Sequence, residues 1–234
     1  MPLELTELLA GRALGGSADS VPVGALPTAA LTMELQRGVM GDLASFPELA
    51  AAAESRGIVP QAARLLNAFR AAGLPVLHCT AEFRADRAGT VINTPLHNAL
   101  LRRPAHLLEG TAATELVPRL GVQPTDYVSA RRHGVSPFTG TPLHATLEGL
   151  GVRVLAVSGV SVNLGVLGLC VEAVNLGYQV VVASDAVTGV PLDYADKVME
   201  NSIALVAAVA TVDEIIGALG ALTGEGSTVA CDGD

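Results

Sequence analysis

Aromatic residues are scarce in this chain of 234 residues, at 3% of the total, and tryptophan is absent. A core without large rings must be built from Ala, Val and Leu, which suits helices packed on a buried sheet. Charged residues are also few, at 16%, whereas 50% of the residues are hydrophobic, so the composition excludes a disordered chain. The net charge of −9 argues against nucleic acid and anionic membranes as partners.

Cysteine pairs, metal-ligand spacings and long apolar runs are missing as well. The cysteines, Cys79, Cys170 and Cys231, have no paired spacing, which excludes a zinc motif and a disulfide framework. Neither metal-ligand spacing nor a GxGxxG fingerprint is present, so no metal and no cofactor are predicted. Apolar runs are shorter than the roughly 18 residues of a membrane helix, and the first residues lack a signal-peptide pattern. A cytoplasmic protein is therefore expected.

Short apolar runs alternate with segments of helical periodicity. The runs at 29–33, 74–79, 126–130, 154–157 and 179–183 are predicted to be strands. Helices are predicted at 58–72, 142–150, 163–176, 193–209 and 212–222. Because the strands are apolar on both faces and alternate with helices, the sequence predicts an α/β fold with three α/β/α layers around a mainly parallel sheet.

One domain accounts for most of the chain. It is predicted over 25–223, between an N-terminal extension, 1–24, and a flexible C-terminal tail, 224–234. The Pro-punctuated section from Ala88 to Arg119 is predicted to be a long excursion with short helical pieces. Such excursions often act as lids or subunit contacts, and this one is expected to determine which substrate is accepted.

Polar side chains directly follow the first three predicted strands. They are Glu34 and Gln36, then Glu82 and Arg84, then Arg131, Arg132 and His133. The carboxyl ends of parallel strands meet at one edge of the sheet, where ligands of open α/β sheets bind. These side chains are therefore expected to converge, with the turn at 161–165, on a site for a small molecule.

Each of these polar residues has two interpretations. Glu34 ends a central strand and is the candidate for proton transfer, or it is a structural carboxylate paired with an arginine such as Arg132. Arg132 is a candidate for binding a substrate oxygen, or it is a solvated loop residue. Glu82 and Gln36 are candidate substrate contacts, with a position on the rim as the alternative for Glu82. His133 is either a proton relay or a hydrogen-bonded surface residue.

The stretch from Gly159 to Glu172, GVSVNLGVLGLCVE, connects a buried strand to a helix. Such a turn directs backbone N–H groups and the positive end of a helix dipole at whatever lies above the sheet. The turn is therefore the predicted floor of the site, with Ser161, Val162 and Asn163 as candidate substrate contacts.

Three stretches resemble a known family. They are ALTMELQRG, RHGVSPFTGTPL and SGVSVNLGVLGLCVEAVNLGYQVVVASDAV. They are similar to motifs of the isochorismatase-like hydrolases, which include nicotinamidases, N-carbamoylsarcosine amidohydrolases and isochorismatases. The resemblance runs from about Ala29 to Ala218. It implies a Rossmann-like topology, a small-molecule substrate, cofactor-free hydrolysis and assembly as a dimer or tetramer.

The resemblance also implies positions for the catalytic residues. Amide-hydrolysing members share an Asp, a Lys and a nucleophilic Cys, which fall by position on Glu34, Arg132 and Gly165. Phe138 falls on a motif Phe and is a candidate substrate contact. Cys170 lies about 140° around the helix from Gly165, so it is expected to face the core and not to replace the missing thiol.

Three functions remain open at this point. A glycine at the nucleophile position resembles the true isochorismatases, which cleave a vinyl ether without a covalent intermediate. The leading hypothesis is therefore acid–base hydrolysis of a vinyl ether or related C–O bond, with Glu34 transferring the proton. The alternatives are a catalytically inactive protein that binds a small molecule or serves as a partner subunit, and an amide hydrolase that uses water activated by Glu34.

Overall fold

Six parallel strands form one sheet in the computed structural model of the chain, which describes residues 2–10, 27–103 and 105–223. The strands are β1 (Thr28–Met33), β2 (Val76–Ala81), β3 (Tyr127–Arg131), β4 (Val154–Val160), β5 (Gln179–Thr188) and β6 (Ala208–Ala210). Their order across the sheet is β3-β2-β1-β4-β5-β6, and every neighbouring pair is parallel. This is the strand order of Rossmann-type sheets, as the sequence predicts.

Helices cover both faces of the sheet. In the described residues they are α1 (Pro2–Leu9), α2 (Arg37–Met40), α3 (Pro47–Ser55), α4 (Ile58–Ala71), α5 (Pro95–Leu100), α6 (Leu143–Gly149), α7 (Leu167–Asn175), α8 (Leu192–Val198), α9 (Ala204–Val206) and α10 (Val212–Thr223). Short 3₁₀ turns lie at Ala112–Thr114 and Pro118–Leu120, and π turns lie at Val162–Val166 and Met199–Ile203. None of the described helices combines the length and apolarity needed to cross a membrane.

The two faces of the sheet carry separate hydrophobic clusters. Successive side chains of a strand point to opposite faces of the sheet. Ala30 of β1 therefore belongs to the cluster on one face, and Leu31 and Met33 belong to the cluster on the other face. The first cluster includes side chains of α3, α4 and α10, and the second includes side chains of α6, α7 and α8. Both faces of the central strands are therefore buried, which confirms the predicted three-layer architecture.

Two segments differ from the sequence prediction. The single helix predicted over 193–209 is interrupted by the π turn and ends at Val206, and Ala208–Ala210 pairs with β5 as an edge strand. Parallel pairing with a neighbouring strand outweighs the helical periodicity of this Ala- and Val-rich segment. Within the predicted extension, Leu8 and Leu9 of α1 are buried in the core, while residues 11–26 and the predicted tail lie outside the described part of the chain.

A glycine keeps the two central strands close where they end. Gly159 of β4 has a φ of 120°, and a Cβ at this position would lie 2.2 Å from the carbonyl oxygen of Met33. Because only glycine avoids this collision, it allows the end of β4 to lie directly against the end of β1. The next residues of each strand therefore emerge side by side at the carboxyl edge of the sheet.

Candidate active site

A cavity of about 270 Å³ lies at the carboxyl edge of the sheet. The residues following β1, the end of β3 and the turn after β4 line its floor, and the excursion between β2 and β3 lines its other walls. Most of its surface is apolar. The polar side chains in the lining are Glu34, Ser45, His97, His106, Arg131, Ser161 and Asn163. An apolar cavity with a few convergent polar groups is typical of a site for a small organic molecule.

Glu34 and Arg131 form an ion pair in this cavity. The Nε atom of Arg131 donates to Oε1 of Glu34 at 2.9 Å, and Nη2 donates to the same oxygen. Nη1 donates to the carbonyl oxygen of Gly134, so all three guanidinium nitrogens are engaged. The two charged side chains are only 10% and 13% exposed. The pair therefore joins a carboxylate to a fixed cation in a largely desolvated position.

The backbone of Glu34 is in an uncommon conformation. Its φ is 51°, in the left-handed region that residues with a Cβ rarely adopt. Its N–H donates to the carbonyl oxygen of Cys79 on β2 at 2.8 Å, which fixes the residue at the end of the strand. Such strained positions cluster at functional sites.

The structure places Arg131 against Glu34 instead of Arg132, so the prediction for Arg132 is wrong. Arg131 ends β3 with its side chain buried, whereas Arg132 turns outward and pairs with Glu109 at 3.1 Å. Both members of that second pair are more than 40% exposed, at 44% and 43%. Adjacent residues of an extended chain point in opposite directions, and counting along a motif does not determine which one faces the cavity.

Gln36 is a structural residue and not a substrate contact. It is completely buried, and its side chain accepts a hydrogen bond from the N–H of Ala81 at 2.8 Å. Its amide nitrogen donates to the carbonyl oxygens of Ala81 and Thr114, each at 2.9 Å. The side chain thus ties the end of β1 to β2 and to the excursion, and no part of it lines the cavity.

Four more of the predicted contacts lie away from the cavity lining. Glu82 and His133 are half-buried outside it. Val162 is buried in the core below the turn, and Phe138 is buried with its ring stacked on Tyr178 at 5.9 Å between centroids. For Val162 and Phe138 the reason is that their side chains pack in the hydrophobic cluster on one face of the sheet and not at its carboxyl edge.

The turn after β4 is where the sequence predicts it, and Ser161, Asn163 and Gly165 line the cavity. The turn is a π turn instead of the start of a regular helix, with the N–H of Val166 donating to the carbonyl oxygen of Ser161 at 3.0 Å. Gly165 is buried beneath the cavity, and α7 follows it. The prediction that the turn forms part of the floor therefore agrees with the geometry.

Neither described cysteine supplies a thiolate. Cys170 of α7 and Cys79 of β2 are completely buried in the core, as predicted for Cys170. Burial raises the pKa of each thiol to about 12, and the nearby Glu34 carboxylate acts in the same direction on Cys79. Both thiols are therefore protonated near neutral pH, and neither lines the cavity.

Two histidines of the excursion line the cavity, although the sequence does not predict them as site residues. His97 of α5 and His106 both line the cavity and are 2% and 7% exposed. His106 has its Nδ1 atom 2.8 Å from Oγ of Ser45, and burial, together with nearby arginines, lowers its pKa to about 4. Only the conformation of the excursion brings these rings to the site, and the local sequence around them carries no motif.

The described residues contain no group of three or more His, Cys, Asp and Glu side chains arranged to hold a metal ion. The groups that the cavity lining offers for chemistry are the carboxylate of Glu34, the guanidinium of Arg131, the two imidazoles and the backbone of the turn. This set is suited to proton transfer and to the binding of polar groups on a small molecule.

Comparison with known proteins identifies the family. A family model described as "Isochorismatase domain" matches residues 28–214, which is most of the chain. The protein therefore belongs to the isochorismatase family and has the isochorismatase-like hydrolase fold. The family assignment agrees with the resemblance seen in the sequence motifs.

Several relatives share this assignment. An uncharacterized isochorismatase family protein of Escherichia coli O157:H7, YecD, is 28% identical over 195 residues, which cover 82% of this chain and 96% of that protein. A probable inactive nicotinamidase of Arabidopsis thaliana is 29% identical over 164 residues, 68% of this chain and 79% of that protein. The structure of an isochorismatase family protein from Burkholderia thailandensis superposes with a TM-score of 0.69 at 29% identity, covering 86% of this chain and 99% of that chain.

Proposed function

We propose that this protein is a cofactor-free hydrolase that cleaves a small, largely apolar metabolite by acid–base catalysis at Glu34, without a cysteine nucleophile. The observation that carries the proposal is the ion pair at the base of the cavity. Arg131 occupies Oε1 of Glu34, while Oε2 accepts no hydrogen bond from the described residues. Glu34 thus keeps one oxygen for a proton that is transferred in the cavity.

The ion pair supports one order for the proposed proton transfers. As the anionic partner of Arg131, Glu34 accepts a proton from water while the water oxygen forms a bond to the substrate carbon. As that bond forms, the bond from the same carbon to the leaving oxygen breaks, and Glu34 gives the proton to the leaving oxygen. The carboxylate is regenerated, and no co-reactant other than water is consumed. Arg131 orients Glu34 in this scheme, because its Nε and Nη2 atoms both donate to the carboxylate.

The turn after β4 supplies the remaining electrostatic contribution. The first N–H groups of a helix have no partner within the helix, and the helix dipole adds positive charge at the same end. The N–H of Leu164 already donates to the carbonyl oxygen of Ser161 at 3.2 Å, so the other N–H groups near the start of the turn are expected to stabilise negative charge that develops on the leaving oxygen. This contribution requires no side chain at Gly165.

A C–O bond is a better candidate than an amide bond. Stable amides are usually attacked by an activated nucleophile or with the help of a metal ion. The position that the family resemblance assigns to the nucleophile is Gly165, and the thiols of Cys79 and Cys170 are buried and protonated. Water activated by a single carboxylate is better suited to a carbon that already carries a good oxygen leaving group.

The second candidate function is a small-molecule binder without catalytic activity. Gly165 favours it, and one of the relatives is itself described as a probable inactive nicotinamidase. The conformation of Glu34 argues for catalysis, because its positive φ costs about 1 to 3 kcal/mol of stability. A protein that had lost its catalytic activity during evolution would not be expected to keep such a costly conformation. We therefore rank the binder second.

Turnover of a substrate panel tests the proposal. Purified protein is assayed against vinyl ethers, epoxides and small amides, alongside Glu34→Gln, Glu34→Asp and the surface control Arg132→Gln. We expect turnover of a C–O substrate that falls by about 10²-fold or more in Glu34→Gln and is retained in Arg132→Gln.

The two Glu34 variants separate a catalytic defect from a folding defect. Glu34→Asp keeps the negative charge beside Arg131, so it is expected to fold and to retain part of the activity. Full activity in a folded Glu34→Gln variant would contradict the proposal. Tight binding of panel compounds with no turnover of any of them would favour the binder.

A further inference from the structure

His97 has one nitrogen whose partner fixes its tautomer. The ring belongs to α5 of the excursion, and its Nε2 atom lies 3.0 Å from the carbonyl oxygen of Gly134. A carbonyl oxygen only accepts hydrogen bonds, so Nε2 must carry the hydrogen. The same carbonyl also accepts from Arg131. His97 is therefore held against the loop that positions the ion pair, with Nδ1 as its second nitrogen.

The surroundings of His97 favour the neutral form of its ring. Burial lowers its pKa, and the charges of Arg131 and His133 act in the same direction. The hydrogen bond to Gly134 and the charge of Glu34 oppose these effects without reversing the direction. In a neutral imidazole with its hydrogen on Nε2, Nδ1 holds a lone pair and acts only as an acceptor.

This acceptor has no donor among the described residues. The Nδ1 atom of His97 is buried and makes no hydrogen bond, although the side chain lines the cavity and is 2% exposed. Buried polar atoms of folded proteins nearly always have a partner, and each exception needs an explanation. Since the ring borders the cavity, a molecule bound in the cavity is the available source of a donor.

A second residue of the cavity lining also has a buried acceptor without a donor in the described part of the chain. Oδ1 of Asn163, in the turn after β4, is also buried without a partner among the described residues. With Oε2 of Glu34, three segments of the chain contribute acceptors that have no donor among the described residues. A ligand that carries donors at its polar end supplies partners for these acceptors.

We infer that His97 accepts a hydrogen bond from the ligand and selects molecules whose polar end donates N–H or O–H groups. The inference rests on the proposed function only in taking this cavity as the substrate site. It adds a specificity-determining residue from the excursion and a chemical requirement on the substrate: an apolar body with at least one N–H or O–H donor at the end that enters the cavity. A molecule with only acceptors would leave Nδ1 of His97 unpaired.

Matched probe pairs test the requirement without turnover. Benzamide is compared with N,N-dimethylbenzamide, and benzyl alcohol with benzyl methyl ether, by calorimetry and by ligand-observed NMR. Each pair has the same ring and differs in the donor. We expect the wild-type protein to prefer the donor in each pair by about tenfold, as one net hydrogen bond allows.

Two variants of His97 separate ligand binding from support of the loop. The amide nitrogen of His97→Gln reaches the position of Nε2 and keeps a donor for Gly134, but it provides no acceptor at the position of Nδ1. The amide oxygen of His97→Asn provides that acceptor but no donor that reaches Gly134. We expect His97→Gln to lose the donor preference and His97→Asn to retain it. A role confined to the loop predicts the opposite order.

The ¹⁵N resonance of Nδ1 gives a direct readout, because a hydrogen bond to the lone pair shifts it. Benzamide should shift this resonance in the wild-type protein, and N,N-dimethylbenzamide should not. Equal affinity within both pairs, no binding of any of the four probes, or an unchanged donor preference in folded His97→Gln overturns the inference. These outcomes are independent of the Glu34→Gln assay, so a failure of the proposed chemistry and a failure of this inference are distinguishable.

Discussion

The terminal methyl group of Met33 fills the space beside Gly165: its Cε atom lies 2.9 Å from the position that a Cβ on Gly165 would occupy. Met33 is completely buried at the end of β1, and its Cγ atom is 3.4 Å from the same position. A side chain at the family's nucleophile position therefore requires the methionine to move. The glycine and the methionine form one packing unit, so restoring a thiol to this fold involves both residues.

Introducing Gly165→Cys together with Met33→Ala should create a reactive thiol in the cavity. The smaller side chain on β1 removes the close contact, and the new cysteine lines the cavity at the beginning of a helix, where thiolates are stabilised. We expect iodoacetamide at pH 8 to label residue 165 well before Cys79 or Cys170. Mass spectrometry of digested protein locates the label, in a Cys231→Ala background.

The Met33→Ala variant alone is the control for this experiment, because it opens the same space without adding a thiol. Buried thiols with a pKa of about 12 should stay unlabelled in it while the protein is folded. Labelling of Cys79 or Cys170 at the same rate as residue 165 would contradict the described core.

Removing Arg131 should destabilise the protein much more than removing Arg132. Arg131→Gln leaves the buried carboxylate of Glu34 without its cation, and breaking a buried ion pair costs about 3 to 5 kcal/mol. Arg132→Gln breaks an exposed pair with Glu109 and should cost about 0 to 1 kcal/mol. Urea denaturation measures both free energies of unfolding, and equal losses would show that Arg131 is not the partner of Glu34.

Gln36→Leu should reduce stability without changing substrate affinity. The leucine leaves the N–H of Ala81, the buried carbonyl oxygen of Ala81 and the partly buried carbonyl oxygen of Thr114 without their partner, at a cost of about 3 kcal/mol or more. Glu82→Gln, at a half-buried position outside the cavity lining, is the comparison and should change stability by about 0.5 kcal/mol at most. An increase in KM of Gln36→Leu at unchanged stability would instead indicate a substrate contact.

His106 should make the protein less stable in mild acid. Its folded-state pKa of about 4 lies below the ordinary value of 6.5, so between these values the unfolded chain binds a proton that the folded protein does not. Stability from this group is complete above pH 6.5 and is lost as the pH falls toward 4. At pH 5 the loss is about 2 kcal/mol.

The measurement is the free energy of unfolding at pH 7.5 and pH 5 for the wild type and for His106→Gln. The decrease in the free energy of unfolding from pH 7.5 to pH 5 should be smaller by about 2 kcal/mol in the variant than in the wild type, whatever the stability of the variant at pH 7.5. An identical decrease in the two proteins would show that His106 titrates alike in the folded and unfolded states.

The secondary structure was largely predictable because hydrophobic periodicity reports which faces are buried. The pattern predicts β1 and α4 to within one residue at each end. It places β2 two residues early and ends β4 and β5 too soon, since polar residues at strand tips interrupt the apolar run. The edge strand at Ala208–Ala210 depends on pairing with β5, which periodicity does not report.

The candidate site was predictable only in part. Glu34 and the turn at 161–165 follow central strands, and the topology of a parallel sheet brings them to one edge. Neither the pairing of Arg131 with Glu34, 97 residues away, nor the contribution of His97 follows from local spacing. Each depends on the conformation of a segment between two strands, which distant contacts determine.

The sequence by itself determined the parallel α/β architecture, the carboxylate at the end of the first strand and the absence of a side chain at Gly165. Composition and periodicity suffice for these features, because they follow from which residues must be buried and from the chemistry that glycine lacks. Only the tertiary structure decided that Arg131, and not Arg132, pairs with Glu34. It also decided that the side chain of Gln36 connects β1 to β2 and does not contact substrate, and that two histidines of the excursion line the cavity. These choices depend on the direction of each side chain in the packed protein, where a difference of one position along the chain separates a buried ion pair from a solvated one.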